Sequence, residues 1–313
     1  MTLTSPIPLL LARDVTADGT DRNALTRRTR GRSADLLRIR RGVYVSAAQW
    51  KGLYPGQQHL VRVCASLAAD TRTGHDAALA HESAAVAYGL PLVGQAPERV
   101  TYVRPRAGGT ARSSAVARVL VATGHVQMAR MGDTLLTSPA QTLVDLARLR
   151  SLASSLASMD HALRHGMVTK DDLYARLAAQ PGVRGNVRAR RAIGFADGRS
   201  ESVGESLSRA VMIENHLPAP ELQVEVFMEG GVLAGRVDFM WRELGVAGEF
   251  DGRGKYRGDT GGRDVAMDER HRENHVELFG GVRVVRWGWR DAYLDGGAFM
   301  LMYLRAAGVR PVA

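Results

Sequence analysis

A single cysteine, Cys64, stands in this 313-residue chain, which excludes an internal disulfide and any thiolate zinc cluster. It lies in the apolar stretch Leu60-Val61-Arg62-Val63-Cys64-Ala65, which suits a helix core and fits a reducing compartment. No apolar run approaches the ~18 residues that span a bilayer. The start, with Pro6 and Pro8 around a short apolar patch ending at Arg13-Asp14, lacks a secretory layout, so a cytoplasmic protein without membrane contact is expected. Gly252 to Gly262 is glycine-rich but matches neither G-x-x-x-x-G-K-[ST] nor G-x-G-x-x-G after a strand, which argues against nucleotide binding. No G-x-S-x-G elbow is present, which argues against a serine hydrolase. His161 with His165, and His271 with His275, lie one helical turn apart without an evident third ligand, so zinc is not expected there.

What the chain has in excess is arginine. Lys+Arg number 42 against 32 Asp+Glu, a net charge of +10, which favours a polyanionic partner, DNA or RNA first. An arginine-rich composition with no nucleic-acid role gives the same surplus. Domains mostly run ~100 to 200 residues, so the length points to two or three of them. The expected class is an α+β and α/β multidomain chain. It would comprise a winged-helix segment over 1–56, a mixed α/β middle domain over 57–180, a basic linker or helix over 181–199 and a mixed domain over 200–313.

The amino-terminal segment predicts a helix near Pro8 to Val15 and another at Arg22 to Thr29. The run Leu36-Leu37-Arg38-Ile39-Arg40-Arg41-Gly42-Val43-Tyr44-Val45 then alternates around Gly42 and reads as a two-stranded wing. In such a module the second helix enters the major groove and basic wing residues touch phosphate. Arg27, Arg28, Arg30, Arg32, Arg38, Arg40 and Arg41 are the candidate DNA contacts, a solvated basic face being the alternative. Farther on, strands are expected at Arg99 to Val103 and Val116 to Val121. Helix starts are expected at Ser138-Pro139 and at Thr169-Lys170-Asp171-Asp172. His81-Glu82-Ser83-Ala84-Ala85, Gly89-Leu90-Pro91-Leu92 and Leu136 to Arg148, together with the wing, resemble the AbiEi-type antitoxins of type IV toxin-antitoxin systems over about residues 5 to 180. That resemblance implies an amino-terminal winged helix that represses transcription, and a cognate toxin as partner.

Carboxylates cluster in the last third. Arg236-Val237-Asp238-Phe239-Met240-Trp241 and Val246-Ala247-Gly248-Glu249-Phe250-Asp251 read as a hairpin around Arg242 to Gly245. A turn centred on Glu243-Leu244 sets Asp238 opposite Glu249, Val237 opposite Phe250 and Trp241 opposite Val246. Alternation then gathers Arg236, Asp238, Met240, Ala247, Glu249 and Asp251 on one face. Like charges set directly opposite destabilise a sheet, and a bound cation removes that penalty. Two solvated carboxylates on an exposed face are the alternative. Upstream, Ser200 is expected to cap a helix carrying Glu201 and Glu205 one turn apart. Downstream, Met267 to Phe279 reads as a charged helix and Val282 to Trp287 as a strand.

The resulting order α-β-β-β-α-β, with Asp on the second strand and Glu on the third, resembles the PD-(D/E)XK nuclease superfamily. Arg236 to Trp241, Glu249-Phe250-Asp251-Gly252 and Val284-Val285-Arg286-Trp287 resemble its very-short-patch-repair branch over Ser200 to Ala292. The resemblance implies a restriction-endonuclease-like fold in which Asp238 and Glu249 ligate Mg²⁺ or Mn²⁺ and Glu205 helps hold or orient the metal. The metal then activates water for phosphodiester cleavage. Superfamily members commonly carry Lys two positions after the glutamate. This chain has Asp251 there, and Lys255 in the glycine-rich loop is its nearest lysine, so Asp251 and Lys255 complete the candidate catalytic set. Arg270 and Arg272 are candidate phosphate contacts or a salt-bridged helix surface. Asp238, Glu249 and Glu205 together favour a DNA-binding, Mg²⁺-dependent endonuclease; the alternative is an antitoxin-like transcriptional regulator with a non-catalytic nuclease fold.

Overall fold

A computed structural model describes residues 3–17, 22–31, 34–69, 77–104, 112–122, 124–227, 230–252 and 281–312. Arg32, Lys255, Arg270, Arg272, His271, His275 and the helix expected at Met267 to Phe279 lie outside the described residues. The chain is mixed α/β with several sheets and divides into two units, Met1–Ser158 with Met167–Gly194, and Met159–Gly166 with Phe195–Ala313.

The first unit opens with β1 (Leu10–Leu11), α1 (Ala12–Ala17), α2 (Arg22–Arg27) and the hairpin β2 (Leu36–Arg40) and β3 (Val43–Ser46). These strands form a three-stranded antiparallel sheet in the order β1-β3-β2. The hairpin closes through Arg41-Gly42, where Gly42 sits at φ +78°, a conformation that costs a residue with a Cβ but not glycine. Next come α3 (Ala47–Lys51) and α4 (Pro55–Ala69), whose Cys64 is buried as expected and has its thiol pushed up to about 11 by that burial.

Val61 and Val63, both fully buried, project from opposite sides of α4. Val61 packs with Ile7 and Val45 of the amino-terminal segment, and Val63 packs with Leu79, Val100, Tyr102 and Leu136 of the next sheet. One helix thereby joins the segments separated at residue 56 in the sequence reading.

That second sheet has six strands in the order β6-β7-β5-β4-β9-β8. They are β4 (Ala78–Leu79), β5 (Val100–Arg104), β6 (Arg112–Ser113), β7 (Ala117–Val121), β8 (Met128–Met131) and β9 (Thr134–Thr137), with α5 (His81–Ala87) following β4. Only β5 and β7 were expected. The others are two to four residues long, too short to show alternation. Helix α6 (Pro139–Leu149) starts with Ser138 as its cap, its hydroxyl accepting from the Gln141 N–H, and α7 (Leu152–Arg164) follows. Helix α8 (Lys170–Ala178) starts with a reciprocal box between Thr169 and Asp172, and the stretch read as linker or helix contains α9 (Asn186–Phe195). Caps of this kind contribute about 1 kcal/mol each.

The second unit contains α10 (Val203–Glu214), β10 (Glu221–Phe227), β11 (Leu233–Trp241), β12 (Val246–Asp251), β13 (Arg283–Gly288), α11 (Trp289–Tyr293) and α12 (Ala298–Ala306). The sheet order is β10-β11-β12-β13, with the first three strands antiparallel and β13 parallel to β12. Trp241 pairs with Val246, Met240 with Ala247 and Phe239 with Gly248, the register expected from the turn. Two glycines set its packing. A Cβ at Gly204 would stand 2.0 Å from the Phe250 ring, and one at Gly248 would stand 2.5 Å from Trp287, so both allow an aromatic side chain to lie on backbone. Trp287 stacks on Phe239 at 5.5 Å between centroids, and its indole N–H donates to the Ser208 hydroxyl at 2.8 Å, tying β13 to α10.

Candidate functional site

The cap of α10 decides where its carboxylates lie. Ser202, not Ser200, is the N-cap, its hydroxyl accepting from the Glu205 N–H at 3.1 Å. Ser200 is instead buried with its hydroxyl 3.0 Å from that of Ser206. Because Glu201 precedes the helix, it does not share a helical face with Glu205. Its backbone N–H donates to a Glu205 carboxylate oxygen at 2.9 Å, and its side chain spans Arg164 at 2.9 Å and Arg236 at 2.8 Å. Arg236 thus pairs with Glu201 while its charge also acts on Asp238, drawing that carboxyl downward against the effect of burial.

Asp238 is half-buried on β11. One oxygen accepts the Phe250 N–H from β12 at 2.8 Å, and the other accepts the Gln223 carboxamide at 3.1 Å. The same Gln223 nitrogen donates to Glu205 at 2.9 Å. One amide thus joins a helix carboxylate to a sheet carboxylate. Both carboxyls lie above their ordinary range, burial being the main cause in each, and the charge of Asp238 adds to the rise at Glu205. Gln223 holds φ +54° inside β10 and interrupts the β10–β11 ladder between Leu222 and Val224, a conformation costing of order 1–3 kcal/mol. Its carboxamide oxygen is buried and has no hydrogen-bond partner.

Glu249 is half-buried next door on β12. The parallel register places it beside Arg286 of β13, whose Nε donates to it at 2.9 Å. On this face Asp238 shares Gln223 with Glu205, and Glu249 on the neighbouring strand pairs with Arg286. Asp251 is exposed at the end of β12. Among the described residues no group of three or more His, Cys, Asp or Glu stands in metal-holding geometry. Beside Gln223 opens a cleft of about 460 Å³ lined also by Arg164, His165, Arg199 and Glu201. His165 and His161 stack at 4.1 Å on its margin.

Gln223 and Arg286 were missed by the sequence reading. Gln223 carried a signal, since Glu221, Gln223 and Glu225 alternate with Leu222, Val224 and Val226 and put the amide in line with Asp238. Arg286 carried none, because a parallel register across a long crossover cannot be counted from a turn.

The candidate DNA contacts in the first unit divide by environment. Arg27, Arg30, Arg38 and Arg41 are exposed. Arg28 is held by a bidentate pair with Asp35, which lifts the guanidinium above its ordinary value. Arg40 turns inward to the Ser66 carbonyl at 3.1 Å and hydroxyl at 2.9 Å, so it is a bracing contact of β2 on α4.

Comparison with known proteins places one segment. The family described as AbiEi antitoxin C-terminal domain matches residues 76–195. Two curated proteins of Mycobacterium tuberculosis, the uncharacterized protein MT2308 of strain CDC 1551 and the uncharacterized protein Rv2248 of strain H37Rv, are each 41% identical over 125 residues. That stretch is 40% of this chain and 46% of each relative, so the match spans less than half of the relatives' length. A crystal structure of the RV2827C protein from the same species aligns over 62% of this chain and 74% of its own, at 18% identity and a TM-score of 0.36. No helix among the described residues is long and apolar enough to cross a membrane.

Proposed function

We propose that the chain is a DNA-binding regulator of the antitoxin class. The observation that carries this is the antitoxin-family match at residues 76–195, downstream of a basic β-hairpin with exposed Arg38 and Arg41. In this reading the amino-terminal helices and hairpin contact operator DNA, the matched segment serves regulation, and a cognate toxin is the protein partner. The test is fluorescence anisotropy of the full chain on DNA from upstream of its own gene, with unrelated DNA as competitor. Each phosphate contact contributes about 0.9 to the slope of log affinity against log salt. Arg38→Ala with Arg41→Ala is expected to lower that slope by about 2 and to weaken binding; unchanged affinity and slope would remove the hairpin from the interface.

A second reading rests on a different observation, the Glu205–Gln223–Asp238 bridge with Glu249 beside it. Carboxylate and carboxamide oxygens are the donors that hard divalent cations take. Asp238, Glu249 and Glu205 would hold Mg²⁺ or Mn²⁺, with Glu249 exchanging its Arg286 contact for the ion and the Gln223 amide giving up its place between Asp238 and Glu205. A bound ion supplies an acidified water and polarises a phosphate. Asp251 and Lys255 are the proposed proton-handling residues of such a site, and the product would be cleaved DNA.

A further inference from the structure

The stretch Leu136 to Arg148, notable in sequence, builds the start of α6 and one wall of a cleft of about 470 Å³. The first turn of a helix presents backbone N–H groups that its own carbonyls cannot satisfy. Here Pro139 has no N–H, the Gln141 N–H is taken by the Ser138 hydroxyl at 3.2 Å, and that of Thr142 by the Ser138 carbonyl at 2.8 Å. The Ala140 N–H is left as the first-turn donor, and Ala140 lines the cleft with Gln127 and Ser138.

Arg176 of α8 lines the same cleft and is more than nine-tenths buried. One terminal nitrogen donates to the His125 carbonyl at 3.3 Å, and its Nε is buried without an acceptor. Among the described residues Arg176 has no carboxylate within salt-bridge distance. The neighbouring buried guanidinium, Arg148, already claims Asp145 at 2.7 Å and donates to Gln180 and Asn186 at 2.8 Å each. Asp145 thus pairs directly with Arg148 and reaches Arg176 only at longer range, so the Arg176 guanidinium has no carboxylate in direct contact. A buried charge is costly unless paired. Asp172, which also lines the cleft, has an oxygen committed to the Thr169 N–H at 2.8 Å and hydroxyl at 2.7 Å.

We propose that this cleft binds a phosphate group, with Arg176 as its counter-charge and the α6 N-terminus as its backbone donor. A helix start beside a fixed guanidinium is an established way of holding a tetrahedral oxyanion. The site lies in the antitoxin-like segment and does not depend on either reading above.

The test is a ¹⁵N–¹H titration of the full chain with sodium phosphate, with sodium chloride at matched ionic strength as control. Saturable shifts of the Ala140 and Gln141 amides and of the Arg176 Nε–H with phosphate alone are expected. Arg176→Gln is expected to weaken binding about tenfold or more, and Arg176→Lys less. Adenosine monophosphate binding more tightly than phosphate, with adenosine inert, would assign the site to a nucleotide; equal affinity would assign it to free phosphate. Absence of saturable shifts in the wild type overturns the proposal, as does an unchanged affinity in a folded Arg176→Gln. If that variant does not fold, the wild-type titration decides by itself.

Discussion

Replacing Arg209 by methionine removes the counter-charge of a carboxylate that has almost no water. The Asp160 side chain is 1% exposed and that of Arg209 10%, with the guanidinium 2.6 Å from the carboxylate. Asp160 also accepts from Ser206 at 2.8 Å and from the Asp197 N–H at 2.7 Å, and Arg209 donates to the Phe195 carbonyl. The group pins the end of α7 and the segment after Phe195 to α10, the helix that carries Glu205. Even with Arg209 present, burial pushes Asp160 up to about 6 from 3.8.

A carboxyl raised on folding contributes stability that is full below its unfolded value and is lost as pH rises through the folded one. Without Arg209 the carboxyl must stay neutral to remain buried. At pH 7.5 that costs about 5 kcal/mol relative to an unfolded group at 3.8, in line with the roughly 3–5 kcal/mol of a broken buried pair. Between pH 7.5 and 5.5 the variant should regain about 2.7 kcal/mol and the wild type less than about 1. Urea unfolding followed by the fluorescence of Trp241, Trp287 and Trp289 measures both. Asp160→Asn with Arg209→Met should recover most of the loss. A cost under about 1 kcal/mol with the wild-type pH slope would refute the reasoning.

Other outcomes follow from single contacts. Gly248→Ala puts a methyl 2.5 Å from Trp287 and should cost about 1–3 kcal/mol, with loss of the near-ultraviolet signal of the Phe239–Trp287 stack. Gln223→Met strips the shared donor from Asp238 and Glu205 and should destabilise the second unit by about 1–3 kcal/mol at neutral pH. Since both carboxyls are raised, the loss should shrink on acidification, and a pH-independent effect would exclude their coupling through the amide. In the first unit His59, fully buried against Ser83, is lowered to about 4, chiefly by burial, so its contribution is present above about 6.5 and lost as pH falls through 4. That limb amounts to about 3 kcal/mol, is readable from Trp50, and should flatten in His59→Gln.

Local chemistry was legible where it is local. The Ser138 and Thr169 caps, the Gly42 hairpin and the Trp241–Val246 register each depend on a few adjacent residues. What failed depends on distance. The α10 cap is Ser202 rather than Ser200, which is buried against Ser206, and Glu201 between them pairs with Arg164 and Arg236, which lie far off in sequence. Arg286 beside Glu249 follows from a parallel strand reached after a long crossover. Arg40 alternates like a surface residue, yet it turns back onto Ser66, a contact that only the packing of β2 on α4 creates. The short strands β4, β6, β8 and β9 owe their state to neighbours in the sheet, which no period in their own residues could reveal.

The most direct test of the account is binding and cleavage measured on one preparation: the full chain with DNA from upstream of its own gene and with supercoiled plasmid, in Mg²⁺ or Mn²⁺, beside Asp238→Ala and Glu249→Ala. The regulator reading predicts specific binding that survives both substitutions and intact DNA throughout. Cleavage by the wild type that both variants abolish would contradict it and establish the carboxylate site as a nuclease.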